Sequence, residues 1–248
     1  MDLSLPLILG FMLVLTRTAS LLSVAPILGS KSVPMRIRAA LIGVVAVVTY
    51  LAANAPRVAV PADFVSLAAL VASGVAPGLT AGLSSRVLID AAQSGGQAAA
   101  NAMGFGFGSM INPHSNSESS TMGELFMALA LGAALVFHLP EECIGWLVRS
   151  VRDVPPGGTV DITSLASALT QQLIFGITLS VRVAFPLFAA AILGYAALGA
   201  LGRTAPQLSL QSLGFAVSIG CGVLAVFFVA PDAARLCADA ATRIFTRS

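Results

Sequence analysis

The chain has 248 residues, of which 57% are hydrophobic and only 10% are charged, with a mean hydropathy of +0.92 and a net charge of +2. Soluble domains carry roughly 25% charged residues, so this composition excludes an ordinary soluble protein and predicts an integral membrane protein. The few basic residues are scattered and are not interleaved with aromatic ones, so we expect no nucleic-acid partner.

Six apolar segments approach the length of about 20 residues that a membrane-spanning helix needs. In chain order they are residues 5–28, 39–55, 64–85, 123–139, 165–201 and 208–230. Backbone polar groups must be paired inside lipid, so the predicted fold class is all-α, a polytopic integral membrane protein with about six hydrophobic segments. Asp2 stands where a signal peptide would carry basic residues, so we interpret the first segment as a retained membrane helix.

Glycine and proline are frequent inside two of these segments. Residues 165–201 could form one long broken helix or two short passes, because Arg182 and Pro186 fall in the centre, and the sequence leaves the helix count open. Such residues are tolerated in membrane helices when neighbouring protein pairs the freed backbone groups. We therefore expect kinked helices that pack against other proteins more than against lipid. The residues concerned are Gly74, Pro77, Gly78, Gly82, Pro186, Gly194 and Gly199.

Four charged residues, Arg17, Arg86, Asp90 and Arg182, fall within or beside the apolar segments. Charge at membrane depth is costly and usually faces a protein interior or a water-filled path. Arg86 and Asp90 are four residues apart, so they can pair on one helix face. The four groups have two interpretations, a local salt bridge near a helix end or contacts with partner subunits and a conduit.

Catalytic patterns are absent from the sequence. Glu141 and Glu142 are adjacent and point to different helix faces, and His114 and His138 each stand alone. No G-x-S-x-G motif occurs, and the three cysteines have no spacing typical of a zinc site or a disulfide framework. The sequence predicts that the protein is not an enzyme and has no metal site and no cofactor.

The middle of the chain reads GGQAAANAMGFGFG from Gly95 to Gly108 and is built of small residues. Small residues four apart let helix backbones approach closely, and residues 91–103 are predicted to be a tightly packed helix. Residues 104–120 differ, because two phenylalanines alternate with glycines before a polar tract with an Asn112-Pro113 turn. This segment is predicted to be a loop.

Three stretches together resemble the FliR family, a membrane component of the flagellar type III export gate. Arg17 followed by APILGSKSVPMRIR (25–38) is similar to the family's N-terminal motif. GGQAAANAMGFGFGSMINP (95–113) resembles its glycine-rich segment, and SVRVAFPLFAAAILGYAALGALGRTAPQLSL (180–210) its C-terminal segment. The chain departs from the family at Gln97 and Ser209, where an acidic residue and an asparagine are usual, and lacks an acidic residue within residues 64–85.

The resemblance implies one FliR-like membrane domain over residues 1–248, with N-terminal helices in 1–140, a central loop at 104–120 and a C-terminal helical part in 141–248. It also implies a place in the bacterial inner membrane, at the flagellar basal body. The implied partners are FliP-, FliQ- and FlhB-like subunits and the unfolded rod, hook and filament proteins that pass through. The resemblance thus implies that the chain folds within a larger helical hetero-oligomer. An injectisome export subunit is the first alternative, and a small-solute transporter is the second.

The resemblance also implies roles for individual residues. The central loop would plug the channel with Gly104, Phe105, Gly106, Phe107, Gly108 and Met110. Subunit packing or the lining of a conduit would involve Arg17, Pro26, Pro34, Arg38, Arg86, Asp90, Gly96, Arg182, Pro186 and Pro206.

Overall fold

A computed structural model describes residues 4–29, 33–54, 58, 61, 63–103, 121–204 and 210–246. These parts of the chain form seven α-helices and contain no β-strand, which confirms the predicted all-α class. The helices are α1 (Ser4–Val24), α2 (Met35–Ala52), α3 (Phe64–Ala102), α4 (Thr121–Val136), α5 (Leu139–Asp153), α6 (Ile162–Thr204) and α7 (Leu210–Thr246).

The first two helices differ from the predicted segments at their ends. α1 stops at Val24, and the chain turns through residues 25–29, where the Gly29 amide donates a hydrogen bond to the Ala25 carbonyl at 2.7 Å. α2 begins after Pro34, which has extended backbone angles (φ −55°, ψ 139°) and caps the helix. Proline suits the start of a helix because its missing N–H has no partner there in any case.

Two helices are far longer than a single membrane span requires. α3 has 39 residues and continues 17 residues past the predicted end at Ser85, and α6 has 43 residues. Both helices continue through their proline, Pro77 in α3 and Pro186 in α6. Residues 165–201 therefore belong to one helix, and the alternative of two short passes is wrong.

The predicted segment 123–139 is divided between two helices. α4 ends at Val136. His138, the residue before α5, has a left-handed backbone (φ 57°, ψ 29°), and Pro140 lies in the first turn of α5. α5 was not predicted, because it is amphipathic and not uniformly apolar. One of its faces is buried, through Leu139, Cys143, Trp146, Leu147 and Val151.

The helices contribute to two compact units. The first unit contains residues 1–87, 135–173 and 240–248, and its core includes Val14, Leu21, Leu22 and Leu147. The second contains residues 88–134 and 174–239, and its core includes Leu88, Ile89, Phe126 and Leu187. Each unit takes segments from both sides of residue 140.

Five of the described helices are long and apolar enough to cross a membrane, and a sixth span results if α4 and α5 are counted together. These numbers agree with the prediction of about six hydrophobic segments in a polytopic membrane protein. Many large apolar side chains on these helices are exposed, among them Phe64, Ile177, Phe185, Phe227 and Phe228. Exposed apolar side chains on such helices require lipid or protein neighbours, because a soluble surface rarely carries so many.

Candidate functional site

Three glycines of α3 lie against α1 in the first unit, and we call Gly74, Gly78 and Gly82 the glycine seam. A Cβ atom on Gly74 would lie 2.7 Å from the Thr16 hydroxyl oxygen, and one on Gly82 would lie 3.0 Å from the Leu21 carbonyl. A Cβ on Gly78 would collide with the Ser20 hydroxyl and the Arg17 carbonyl. Glycines four residues apart thus let the two backbones meet, and their neighbour is a helix of the same chain.

Arg17 is a buried cation beside the glycine seam, and only 2% of its surface is exposed. Its Nη1 donates hydrogen bonds to the carbonyl oxygens of Ser150 (2.8 Å) and Val154 (2.9 Å), and Nη2 reaches the Ser73 carbonyl at 3.4 Å. The first two carbonyls belong to the C-terminal end of α5, where unpaired carbonyls and the helix dipole favour a positive charge. Arg17 therefore joins α1, α3 and α5.

Two further arginines extend from α5 to the ends of other helices in the first unit. Arg149 donates to the carbonyl of Phe245 at 2.5 Å, close to the end of α7. Arg152 donates to the carbonyl of Ala52, the last residue of α2, at 2.6 Å. Trp146 packs edge-on against the Phe245 ring at a centroid distance of 6.2 Å. Side chains of α5 thus bind the C-terminal ends of α2 and α7. The C-terminal end of α5 is in turn bound by Arg17 of α1.

In the second unit, small residues bring α3 close to α4 and α6. Gly96 lies under the ring of Phe126, and a Cβ on Gly123 would lie 3.1 Å from the Gln93 carbonyl. On the α6 side, a Cβ on Gly95 would lie 2.8 Å from the Ser180 carbonyl, and the Ser94 and Ser180 hydroxyls are 3.1 Å apart. Gly96 therefore contacts a helix of its own chain, and its predicted role in subunit packing stays a prediction.

The end of α3 is tied to α6 just before the predicted loop begins. The Tyr195 hydroxyl donates to the carbonyl of Ala102 at 2.8 Å. The proposed plug residues Gly104, Phe105, Gly106, Phe107, Gly108 and Met110 lie outside the described residues, and so does Pro206. The geometry therefore fixes where this segment begins and where it returns, at the start of α4.

The other residues singled out from the sequence lie on several elements of the fold. Pro26 is buried in the turn after α1, Pro34 is exposed, and Arg38 is half-buried near the start of α2. On α3, Arg86 is exposed and Asp90 is half-buried. On α6, Arg182 is exposed and Pro186 is half-buried. These seven residues are therefore distributed over the turn after α1 and over α2, α3 and α6, and they belong to both units.

Two pairs of acidic and basic side chains on the described surface are solvated and of the kind that contributes little to stability. His138 Nδ1 lies 3.2 Å from a carboxylate oxygen of Glu141, and Arg149 Nη2 lies 3.8 Å from Glu142. No group of three or more potential metal ligands occurs among the described residues. The arrangement as a whole is suited to holding helices together, through glycine contacts and arginine-capped helix ends.

Sequence reasoning missed Arg149, Arg152 and Tyr195 as residues that tie helix ends together. Arg149 and Arg152 lie outside the predicted apolar segments, and their acceptors are backbone carbonyls, which leave no trace in the sequence. The glycine seam, in contrast, is visible in the sequence. The spacing of four residues from Gly74 to Gly78 to Gly82 indicates a close helix contact, although not its partner.

Comparison with known proteins shows the family to which the chain belongs. Residues 8–244, nearly the whole chain, match the family model described as "Bacterial export proteins, family 1". The chain belongs to this family. It is 28% identical over 234 residues to the flagellar biosynthetic protein FliR of Escherichia coli (strain K12), covering 93% of this chain and 88% of that protein. It is 26% identical over 218 residues to FliR of Pectobacterium carotovorum subsp. carotovorum, with coverages of 87% and 82%. Membership of the FliR family, expected from three short motifs, is thus confirmed.

Proposed function

We propose that this protein is a subunit of the flagellar type III protein export gate and is required for secretion of rod, hook and filament proteins. The observation that carries the proposal is the match along nearly the full chain to a protein family of bacterial export, together with two relatives named for flagellar biosynthesis. The long apolar helices support a multi-pass location in the inner membrane. The flagellar names of both relatives favour this role over an injectisome.

The partners in this proposal are FliP-, FliQ- and FlhB-like subunits at the basal body, together with unfolded export substrates. The exposed apolar side chains of α6 and α7 support a membrane assembly, because they need lipid or protein neighbours. In this proposal the protein forms part of a passage for other proteins, and its described residues hold helix ends together.

Deleting the gene is expected to abolish secretion of hook and filament proteins while growth and nutrient uptake remain normal, because a gate subunit has no metabolic substrate. Immunoblots of culture supernatants and a swimming assay measure the effect, and expression of the wild-type chain from a plasmid serves as the control. A deletion strain that swims, or that loses uptake of a particular solute, would contradict the proposal. Loss of virulence-effector secretion in a strain that still swims would assign the protein to an injectisome.

We also propose that residues 104–120 plug the resting gate. Support comes from the helices at both ends of this segment. Gly96 lies under Phe126, and Gly123 approaches Gln93, so the last turns of α3 and the first turns of α4 are neighbours. In this proposal the 17 residues between the two helices project into the channel and swing aside when the gate opens. Its glycines provide backbone freedom, and its phenylalanines provide a hydrophobic constriction.

Replacing both Phe105 and Phe107 by alanine is expected to make the resting gate leak ions, because aromatic bulk is lost from the constriction. Replacing Gly106 and Gly108 by valine is expected to lower secretion without a leak, because β-branched residues restrict the backbone. Membrane conductance and secreted filament protein are the two measurements. A matched control replaces the exposed pair Phe227 and Phe228 on α7 by alanine. If the loop variants assemble but neither leak nor lose secretion, the segment is a passive connector.

A further inference from the structure

Arg182 is the one charged residue in the sequence between Asp161 and Arg203. It lies inside α6, nine residues after Leu173, where the helix becomes predominantly apolar. At the rise of an α-helix this places it about 14 Å inside the apolar stretch. An arginine side chain is shorter than that distance, so it cannot carry the charge back along the helix to a polar surface.

The packing of α6 shows which way Arg182 faces. Leu179, Val183 and Leu187 are buried, and the Ser180 hydroxyl meets that of Ser94 on α3. This face holds α6 within the second unit. Arg182 lies on the opposite face and is exposed, between Val181, which is 59% exposed, and Phe185, which is 70% exposed. The neighbouring turn adds Thr178, which is also exposed.

Arg17 and Arg182, which both lie inside apolar helices, have contrasting surroundings. Arg17 is buried and donates to carbonyls of two other helices. Among the residues that the structure describes, the guanidinium of Arg182 makes no hydrogen bond and no ion pair. A guanidinium has five N–H donors and keeps its charge, and an unpaired charge at membrane depth is costly. Its acceptor is therefore not among the described residues of this chain.

We propose that Thr178, Val181, Arg182 and Phe185 form a docking surface for a membrane-spanning helix of another subunit, which places a carboxylate against Arg182. This inference rests on the proposed role in a membrane export complex and names the chemistry of one contact in it. Charge complementarity selects the carboxylate, because a planar guanidinium binds it through two parallel hydrogen bonds that strengthen when water is excluded. The apolar side chains around Arg182 exclude that water. A lipid phosphate fits less well, since it belongs at the membrane surface.

Changing Arg182 to alanine or glutamate is expected to reduce recovery of other membrane subunits with an affinity-tagged chain at least about tenfold, because the partner carboxylate loses its counter-charge. Arg182→Lys keeps the charge and should retain more of the complex than Arg182→Ala. The matched control is Arg235→Ala, which removes an exposed arginine of α7 in the same unit. All variants are expressed in place of the native gene, and secreted filament protein is measured in parallel.

Two further measurements keep the outcome decisive if Arg182→Glu accumulates poorly. Suppressors of its motility defect are expected to change an aspartate or glutamate of another membrane subunit to lysine or arginine. A photoreactive residue in place of Thr178 should form an adduct with a membrane subunit in an otherwise unchanged chain. Adducts with lipid alone, or Arg182→Ala cells that recover the complex and secrete like wild type, would overturn the docking surface. Those results would not contradict the export role. Only a deletion strain that still secretes hook and filament proteins would contradict that role.

Discussion

Replacing Arg17 by methionine is expected to reduce the amount of folded protein in membranes to a small fraction of the wild-type amount. Methionine fills much of the same apolar space but has no donor, so the carbonyls of Ser150 and Val154 at the end of α5 lose their guanidinium partner. Losing charged hydrogen bonds of this kind, in a buried place, costs about 3 kcal/mol or more. That is a large part of the 5 to 15 kcal/mol by which proteins are typically stable.

The comparison variants separate charge from geometry. Arg17→Lys keeps a cation but offers a shorter side chain without the planar fork, so an intermediate amount is expected. Arg36→Met removes an exposed arginine at the start of α2 and should have little effect. Immunoblots of membrane fractions, together with the temperature at which the solubilised protein aggregates, provide the measurement. If Arg17→Met and Arg36→Met accumulate equally, Arg17 does not hold α5 in place.

Arg17 matters beyond its own contacts because of what α5 binds in turn. Arg149 and Arg152 of α5 donate to carbonyls at the ends of α7 and α2. The last carbonyls of a helix have no partner within it, and in lipid such groups must find one in neighbouring protein. Loss of Arg17 is therefore expected to loosen α2 and α7 as well. This coupling is the physical reason for expecting a larger effect than that of a single lost contact.

Much of the fold could be predicted because its main determinant is the length and apolarity of each segment. The start of α3 at Phe64 was predicted, as were the all-α class and about six hydrophobic segments. Family membership followed from three motifs along the chain. Helix ends were less accurate. Hydropathy falls after Ser85, yet α3 continues to Ala102, because alanine, glycine and serine there pack against α4 and α6 and do not face lipid.

The candidate site was harder to predict because its partners are far apart in sequence and belong largely to the backbone. A lone arginine at position 17 indicates that some acceptor exists, but nothing in the sequence indicates that Ser150 and Val154 supply it. α5 escaped prediction for a related reason. Its apolar residues follow one helical face within a polar stretch, so a search for uniformly apolar segments passes over it.

Replacing Gly78 by valine is expected to separate α1 from α3 and to lower the amount of folded protein nearly as much as the loss of Arg17. The new Cβ would collide with the Ser20 hydroxyl and with the Arg17 carbonyl, and a backbone atom cannot turn away as a side chain can. Overpacking of this kind costs about 2 to 3 kcal/mol. Displacement of the α1 backbone at Arg17 would also disturb the hydrogen bonds from its guanidinium to the end of α5.

Gly132 on α4 offers a matched control, because a Cβ at that position would have no neighbouring atom within 4 Å. Gly132→Val should therefore accumulate in membranes close to the wild-type amount. Adding Ser20→Gly to Gly78→Val removes the hydroxyl from the collision but leaves the Arg17 carbonyl, so only partial recovery is expected. Membrane immunoblots and protease resistance of the solubilised protein measure all three variants. If Gly78→Val accumulates as well as Gly132→Val, or if Ser20→Gly restores it fully, the backbones of α1 and α3 do not meet as closely as the glycine seam requires.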